Sequence, residues 1–86
     1  MEKVYFVALE AKQIDDLKVV LENNGIKDYD LNVKVYEMPN GIQVCIPTFL
    51  ATEETYLGIL MDFNARTHER LYAFDMNTET ADRMVG

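Results

Sequence analysis

The sequence predicts an α+β fold, and three observations predict it. Leu31 to Pro47 alternates apolar and polar residues on either side of an Asn-Gly pair, the pattern of a β-hairpin. Helically spaced segments, Ala11 to Asn24 and 53–66, lie on each side of it. Two apolar runs, Lys3 to Glu10 and Arg70 to Met76, lie outermost.

Lys3 to Glu10 is β-branched and aromatic with almost no polar break, as in a strand buried on both faces at the centre of its sheet. Ala11 to Asn24 then changes period. Ile14, Leu17 and Leu21 form one helical stripe with Val20 on its flank. Lys12 with Asp16, and Lys18 with Glu22, are i,i+4 pairs of opposite charge on the other side. Gly25 after Asn23-Asn24 is a helix stop, and Ile26 is placed to fold back on the last turn.

In the hairpin, Leu31, Val33 and Val35 alternate with Asn32, Lys34 and Tyr36; Ile42, Val44 and Ile46 alternate with Gln43 and Cys45. A two-residue Asn40-Gly41 turn pairs Val35 with Ile46 and Tyr36 with Cys45, which puts both apolar sets on one face. A three-residue Pro39-Asn40-Gly41 loop pairs Tyr36 with Val44 and splits the sets between faces. The expectation is therefore the two-residue turn, with Tyr36 and Cys45 facing away from the helices.

For 53–66 the helix reading rests on Thr52 as cap, Glu53 and Glu54 at the positive end of the helix dipole, and a Tyr56, Ile59, Leu60, Phe63 stripe. Leu57 and Met61 flank the stripe, and Asp62 with Arg66 is a further i,i+4 pair. Leu57, Ile59, Met61 and Phe63 also alternate as a strand would, and Gly58 disfavours helix. That competing reading is one helix on a five-stranded β-meander. The capped start and the separated faces favour helix. Arg70 to Met76 is the last strand, and 77–86 is a polar tail, partly flexible, after a single domain spanning 1–76.

The order β-α-β-β-α-β resembles the ferredoxin-like split βαβ plan. Right-handed crossovers then put the first and third strands in the centre and both helices on one face of an antiparallel sheet.

Composition bounds the function. The chain has 86 residues, 49% hydrophobic and 27% charged, which suits one small globular domain with a modest core. No apolar run approaches the ~20 residues of a membrane span, and Val4 to Leu9 is too short for a signal-peptide core. One cysteine excludes an intrachain disulfide, so a cytoplasmic location is expected. Fifteen acids against eight bases give a net charge of −7. Nucleic-acid binders gain affinity from Lys and Arg on phosphates, so direct nucleic-acid binding is not expected.

The motifs with chemical content are weak. Asp28, Asp30 and Asn32 open like a calcium loop, but Val33 and Pro39 stand where it needs glycine and glutamate. Cys45 and His68 are the only thiol and imidazole, with no third group to orient them; four zinc ligands are not present, and the four glycines are scattered. No catalytic, metal or cofactor residues are assigned, and no enzyme is expected.

The expectation is a small acidic non-enzymatic protein that binds and modulates or inhibits a protein partner. Phage-encoded inhibitors of host or defence nucleic-acid-binding machinery fit this size and charge as a class. The residues expected at the contact are Asp15, Asp16 and Glu22 on the first helix, Glu53, Glu54 and Asp62 on the second, and Tyr36 and Tyr5 on an apolar open sheet face. That face is completed by Tyr5, Val7, Leu9 or by Val4, Phe6, Ala8, with Met84 and Val85 of the tail as one cover and a second copy, giving a homodimer, as another. The alternative function is a dimeric ferredoxin-like regulatory module that senses a small metabolite.

Overall fold

The computed structural model describes residues 1–75 and 80–83. In chain order they form β1 (Lys3–Phe6), β2 (Leu9–Glu10), a 3-10 turn (Ala11–Gln13), α1 (Ile14–Asn23), β3 (Tyr29–Asp30), β4 (Val35–Glu37), β5 (Gln43–Cys45), β6 (Thr48–Ala51), α2 (Glu53–Thr67), β7 (Tyr72–Asp75) and β8 (Thr80–Arg83). The architecture is mixed α+β: two helices with small antiparallel sheets, β1-β6-β3 and β2-β5-β4, and a β7-β8 ribbon. Among the described residues no helix is long and apolar enough to cross a membrane.

The first apolar run sets the frame. Phe6 faces Thr48 in one sheet and Leu9 faces Cys45 in the other, so 3–10 and 44–51 keep one register through both. The Val7 N–H bonds the Pro47 carbonyl at 3.2 Å across the gap between them. Pro47 has no N–H to return, which breaks the ladder there. β3 and β4 line the far side of β6 and β5. On the near side Ala8 meets Tyr72 in a single antiparallel bridge.

The hairpin corrects the expected register. Val35 faces Cys45, Tyr36 faces Val44 and Glu37 faces Gln43, which is the three-residue loop and not the two-residue one. Met38 to Gly41 form the turn: the Gly41 N–H bonds the Met38 carbonyl at 2.9 Å, and the Met38 N–H bonds the Ile42 carbonyl at 2.8 Å. Pro39 takes the second turn position, where its fixed φ fits, and Gly41 at φ +86° supplies the left-handed residue of a bulged hairpin. Asn40 Oδ1 accepts from the Ile42 N–H at 3.0 Å. Parity selects a register where one face is wet, but β5 is covered on both faces, with Val44 and Cys45 each buried. Cys45 consequently faces the helices, while Val44 and Tyr36 face away.

α1 follows a tight 3-10 turn and ends in a Schellman motif. The Ile26 N–H bonds the Leu21 carbonyl at 3.0 Å and the Gly25 N–H bonds Glu22 at 3.1 Å, with Gly25 at φ +76°. Ile26 folds back and is buried. α2 is helical throughout 53–67, as its cap predicts: Thr52 Oγ1 accepts from the Thr55 N–H at 3.2 Å. Ile59 and Phe63 are fully buried, and Tyr56 and Leu60 pack beside them.

Both helices pack on one side of the sheets. Leu17, Val20 and Leu21 of α1 and Ile59 and Phe63 of α2 share a cluster with Val7, Leu9, Cys45, Phe49 and Ala51. A smaller cluster of Ala8, Met38, Val44 and Tyr72 lies on the other side. Charges join the helices more than they line them. Arg66 Nε reaches Asp16 Oδ1 at 2.9 Å, and Asp62 accepts from Asn24 Nδ2 at 2.9 Å. The expected i,i+4 partners Asp16 and Asp62 thus look across to the facing helix or its cap. Of the expected 77–86 tail, 80–83 form β8 on β7, and Met84 and Val85 lie outside the described residues.

Candidate functional site

Strand alternation decides which side chains of β1 face away from the helices. Val7 and Leu9 belong to the helix-side core, and Tyr5 shares their parity. The Tyr5 ring stacks on Tyr56 of α2 with centroids 4.1 Å apart and planes 8° apart, and Lys3 Nζ sits 5.3 Å from the Tyr5 centroid. Tyr5 is therefore on the helix side, and its buried hydroxyl has no hydrogen-bond partner among the described residues. Val4, Phe6 and Ala8 take the opposite face.

That face has a closed end and an open end. At the closed end Ala8, Val44, Met38 and Tyr72 are buried, with Tyr36, Ile42 and Ile46 packed around them. At the open end Val4 is 68% and Phe6 61% exposed. Phe6, Val33, Lys34, Tyr36, Ile46 and Thr48 enclose a hollow of about 330 Å³ beside them. Lys34 Nζ lies 4.6 Å from the Tyr36 ring centroid, a cation–π contact that leaves the aromatic wall in place. The hollow is apolar apart from Lys34 and the hydroxyls of Thr48 and Tyr36, so it suits an apolar side chain better than a charged group.

The expected carboxylates lie on the helix layer, behind the sheet from this hollow. Asp15 is exposed at the start of α1. Asp16 is held by Arg66, Glu22 accepts from the Tyr29 hydroxyl at 3.2 Å, and Asp62 is held by Asn24. Glu53 and Glu54 are exposed in the first turn of α2, near Leu57 at 51% exposure; Met61 is 72% exposed one turn on. The structure does not bring Tyr36 together with these acids. It defines two surfaces: an apolar hollow on one side and a carboxylate-bearing helix layer on the other.

The residues with catalytic chemistry differ in burial. Cys45 is buried in the helix-side core, and burial pushes its thiol pKa up, which keeps it protonated and unreactive. His68 ends α2 in the left-handed region at φ 60° and is exposed. Asp30 Oδ1 accepts from the Asn32 N–H at 3.0 Å, so the calcium-like stretch is an Asx turn. Among the described residues no group of three or more His, Cys, Asp or Glu is placed to hold a metal.

Tyr36 is legible in the sequence, but its partner across the hollow is not. Phe6 was one of two parity choices, and Leu9 at the β2–β5 rung is the signal that selects it, because a Leu packed on the helices fixes every residue of the run. Comparison with known proteins finds no protein-family model that matches this chain and no curated protein that matches it.

Proposed function

We propose that this chain is a small acidic, non-enzymatic protein of ferredoxin-like plan that binds a protein partner and modulates or inhibits it. The plan is supported by the order of pairing, in which Tyr72 bridges Ala8, 3–10 pair with 44–51, and β3 and β4 pair beyond, with both helices on one face. The observation that carries the binding reading is the exposure of Phe6 and Val4 beside the Phe6–Tyr36 hollow. Large apolar side chains grouped around a hollow on a small acidic protein mark a protein contact. The carboxylates of the helix layer favour a basic partner by steering, as nucleic-acid-handling machinery is, and small acidic chains of this kind include phage-type inhibitors of such machinery.

The test is a pull-down with the tagged chain from source-cell lysate at low and high salt, repeated with Phe6→Ser and with Asp15→Lys plus Glu22→Lys. Asp16 is left intact in the second variant because it holds Arg66. A stoichiometric partner that Phe6→Ser loses at both salts supports docking through the hollow. One that the lysine variant and high salt both lose supports docking through the helix layer. No stoichiometric partner at either salt overturns the proposal.

The hollow's volume also supports a second reading, a dimeric regulatory module for a small metabolite. At about 330 Å³ it lies at the lower end of ligand pockets. A concentration-dependent dimer and a melting temperature raised by one metabolite would mark this reading, and a strict monomer that no metabolite stabilises would remove it.

A further inference from the structure

We infer that Asn40 is a site of spontaneous deamidation in the folded protein, and that the fold silences the second Asn-Gly pair, Asn24-Gly25. The chemistry needs only water. The Gly41 nitrogen gives its proton to solvent hydroxide and attacks Asn40 Cγ, forming a C–N bond. The tetrahedral oxyanion on Oδ1 then collapses. The Cγ–Nδ2 bond breaks, ammonia leaves with a proton taken from water, and the hydroxide is returned. Water opens the resulting five-membered imide at either carbonyl, leaving aspartate or isoaspartate. A following glycine favours the attack because no Cβ shields its nitrogen. The sequence offers this pairing at 24–25 and at 40–41, so the structure decides between them.

Asn40 is arranged to react. Pro39, Asn40 and Gly41 are exposed at the tip of the hairpin. Asn40 Oδ1 accepts from the Ile42 N–H at 3.0 Å, which polarises Cγ and places a donor where the oxyanion develops. Among the described residues no hydrogen bond holds the leaving nitrogen Nδ2. The restraint is on the nucleophile, because the Gly41 N–H is bonded to the Met38 carbonyl at 2.9 Å. Releasing it opens one turn at the end of a three-rung ladder, a local event and not global unfolding.

Asn24 is held the opposite way. Its Nδ2 donates to the Val20 carbonyl at 2.8 Å and to Asp62 Oδ2 at 2.9 Å, so the leaving nitrogen is pinned between α1 and α2. The Gly25 N–H is bonded to the Glu22 carbonyl at 3.1 Å inside the Schellman end of α1. Freeing it means unwinding that end together with the buried Ile26. At Asn40 the two products differ in effect. Aspartate keeps an oxygen for the Ile42 N–H and adds one negative charge to a chain at −7. Isoaspartate routes the main chain through the side-chain carbon and lengthens the turn by a methylene. The turn sets the Tyr36–Val44 rung, so isoaspartate loosens the Tyr36 wall of the hollow in one direction only. The choice between the two sites does not depend on what docks in the hollow.

The test is incubation of the full chain at mildly alkaline pH, native and in unfolding urea, with each site read by peptide mass mapping. In the native protein Asn40 should convert at least ~10-fold faster than Asn24, and in urea the two should agree within ~3-fold. Equal native rates at the two sites overturn the proposal. So does an Asn40 that stays intact in the native protein while the urea sample converts, or a preference in urea as large as in the fold. Asp62→Ala removes one of the bonds on Asn24 Nδ2 and should narrow the native gap. An unchanged gap overturns the assignment of the protection to that tie. The separated isoaspartate form should melt at a lower temperature than the aspartate form, and equal melting temperatures overturn the loosening of the Tyr36 wall.

Discussion

Gln13 donates its side-chain amide to Glu69 across 2.6 Å, tying the turn before α1 to the segment that leaves α2, 56 residues away in sequence. Gln13 is the buried polar residue of the described chain, and its bond is to a half-buried Glu69. A second tie between the same regions, Asp16 with Arg66 at 2.9 Å, has both side chains about two-fifths exposed, at 39% and 45%.

Burial decides which of the two matters for stability. Glu69→Ala removes an acceptor from a buried amide and should cost about 1–3 kcal/mol. Asp16→Ala removes an exposed ion pair and should cost less than about 1 kcal/mol, falling further in salt. Urea melts of both variants check this, and equal losses would mean that the buried bond has no special weight.

Three backbone positions should respond with opposite signs. Gly58 sits inside α2, and a Cβ there meets only Asn24 Oδ1 at an ordinary 3.6 Å, so Gly58→Ala should gain about 1 kcal/mol of helix propensity. Gly25 has open space around it but a φ of +76°, so Gly25→Ala should lose about 1 kcal/mol through backbone strain alone. Among the described residues His68 is the non-glycine residue in the left-handed region, and His68→Gly should relieve a similar strain. For a domain of this size each kcal/mol moves Tm by about 4–8 °C, so calorimetry resolves all three.

How much of this was legible in the sequence follows from what each signal depends on. Local signals carried through: Thr52 caps α2, Gly25 ends α1, and the Tyr56, Ile59, Leu60, Phe63 stripe faces the core because period and capping need no tertiary context. The hairpin register did not carry through. Parity rules reject a register only when one face is wet, and β5 has Cys45 in one cluster and Val44 in the other. The same cause hid half of the candidate site. A run apolar on both faces, such as Lys3 to Glu10, cannot say whether Tyr5 or Phe6 points outward until a rung such as Leu9 with Cys45 fixes it. Partners such as Arg66 for Asp16 were invisible because they come from the facing helix, and i,i+4 spacing describes only one helix at a time.

Tyr5 offers a test of the cost of an unpaired polar group. Its ring is well used, stacked on Tyr56 with Phe49 at 6.3 Å, but its hydroxyl is buried without a partner among the described residues. Tyr5→Phe keeps the stack and removes the hydroxyl, so stability should rise, by up to about 1–2 kcal/mol. A measured loss would instead reveal that the hydroxyl has an acceptor.

Cys45 ties stability to pH with a defined sign. Burial disfavours the thiolate, so the folded thiol holds its proton to higher pH than the unfolded one. Below the ordinary thiol range, about pH 8.5, both states are protonated and stability is insensitive to this group. Above it the unfolded chain releases its proton first, and folding stability falls as pH rises toward the raised folded value. Cys45→Ala should remove that component of the alkaline slope, read as the wild-type minus variant difference in urea midpoints between about pH 8 and 10. Iodoacetamide labelling follows from the same burial: slow in the native protein, and fast once denaturant opens the helix-side core. Native-state labelling at the rate of a free thiol would mean that Cys45 is reachable, and with it that the sheet under α1 and α2 opens far more readily than its packing implies.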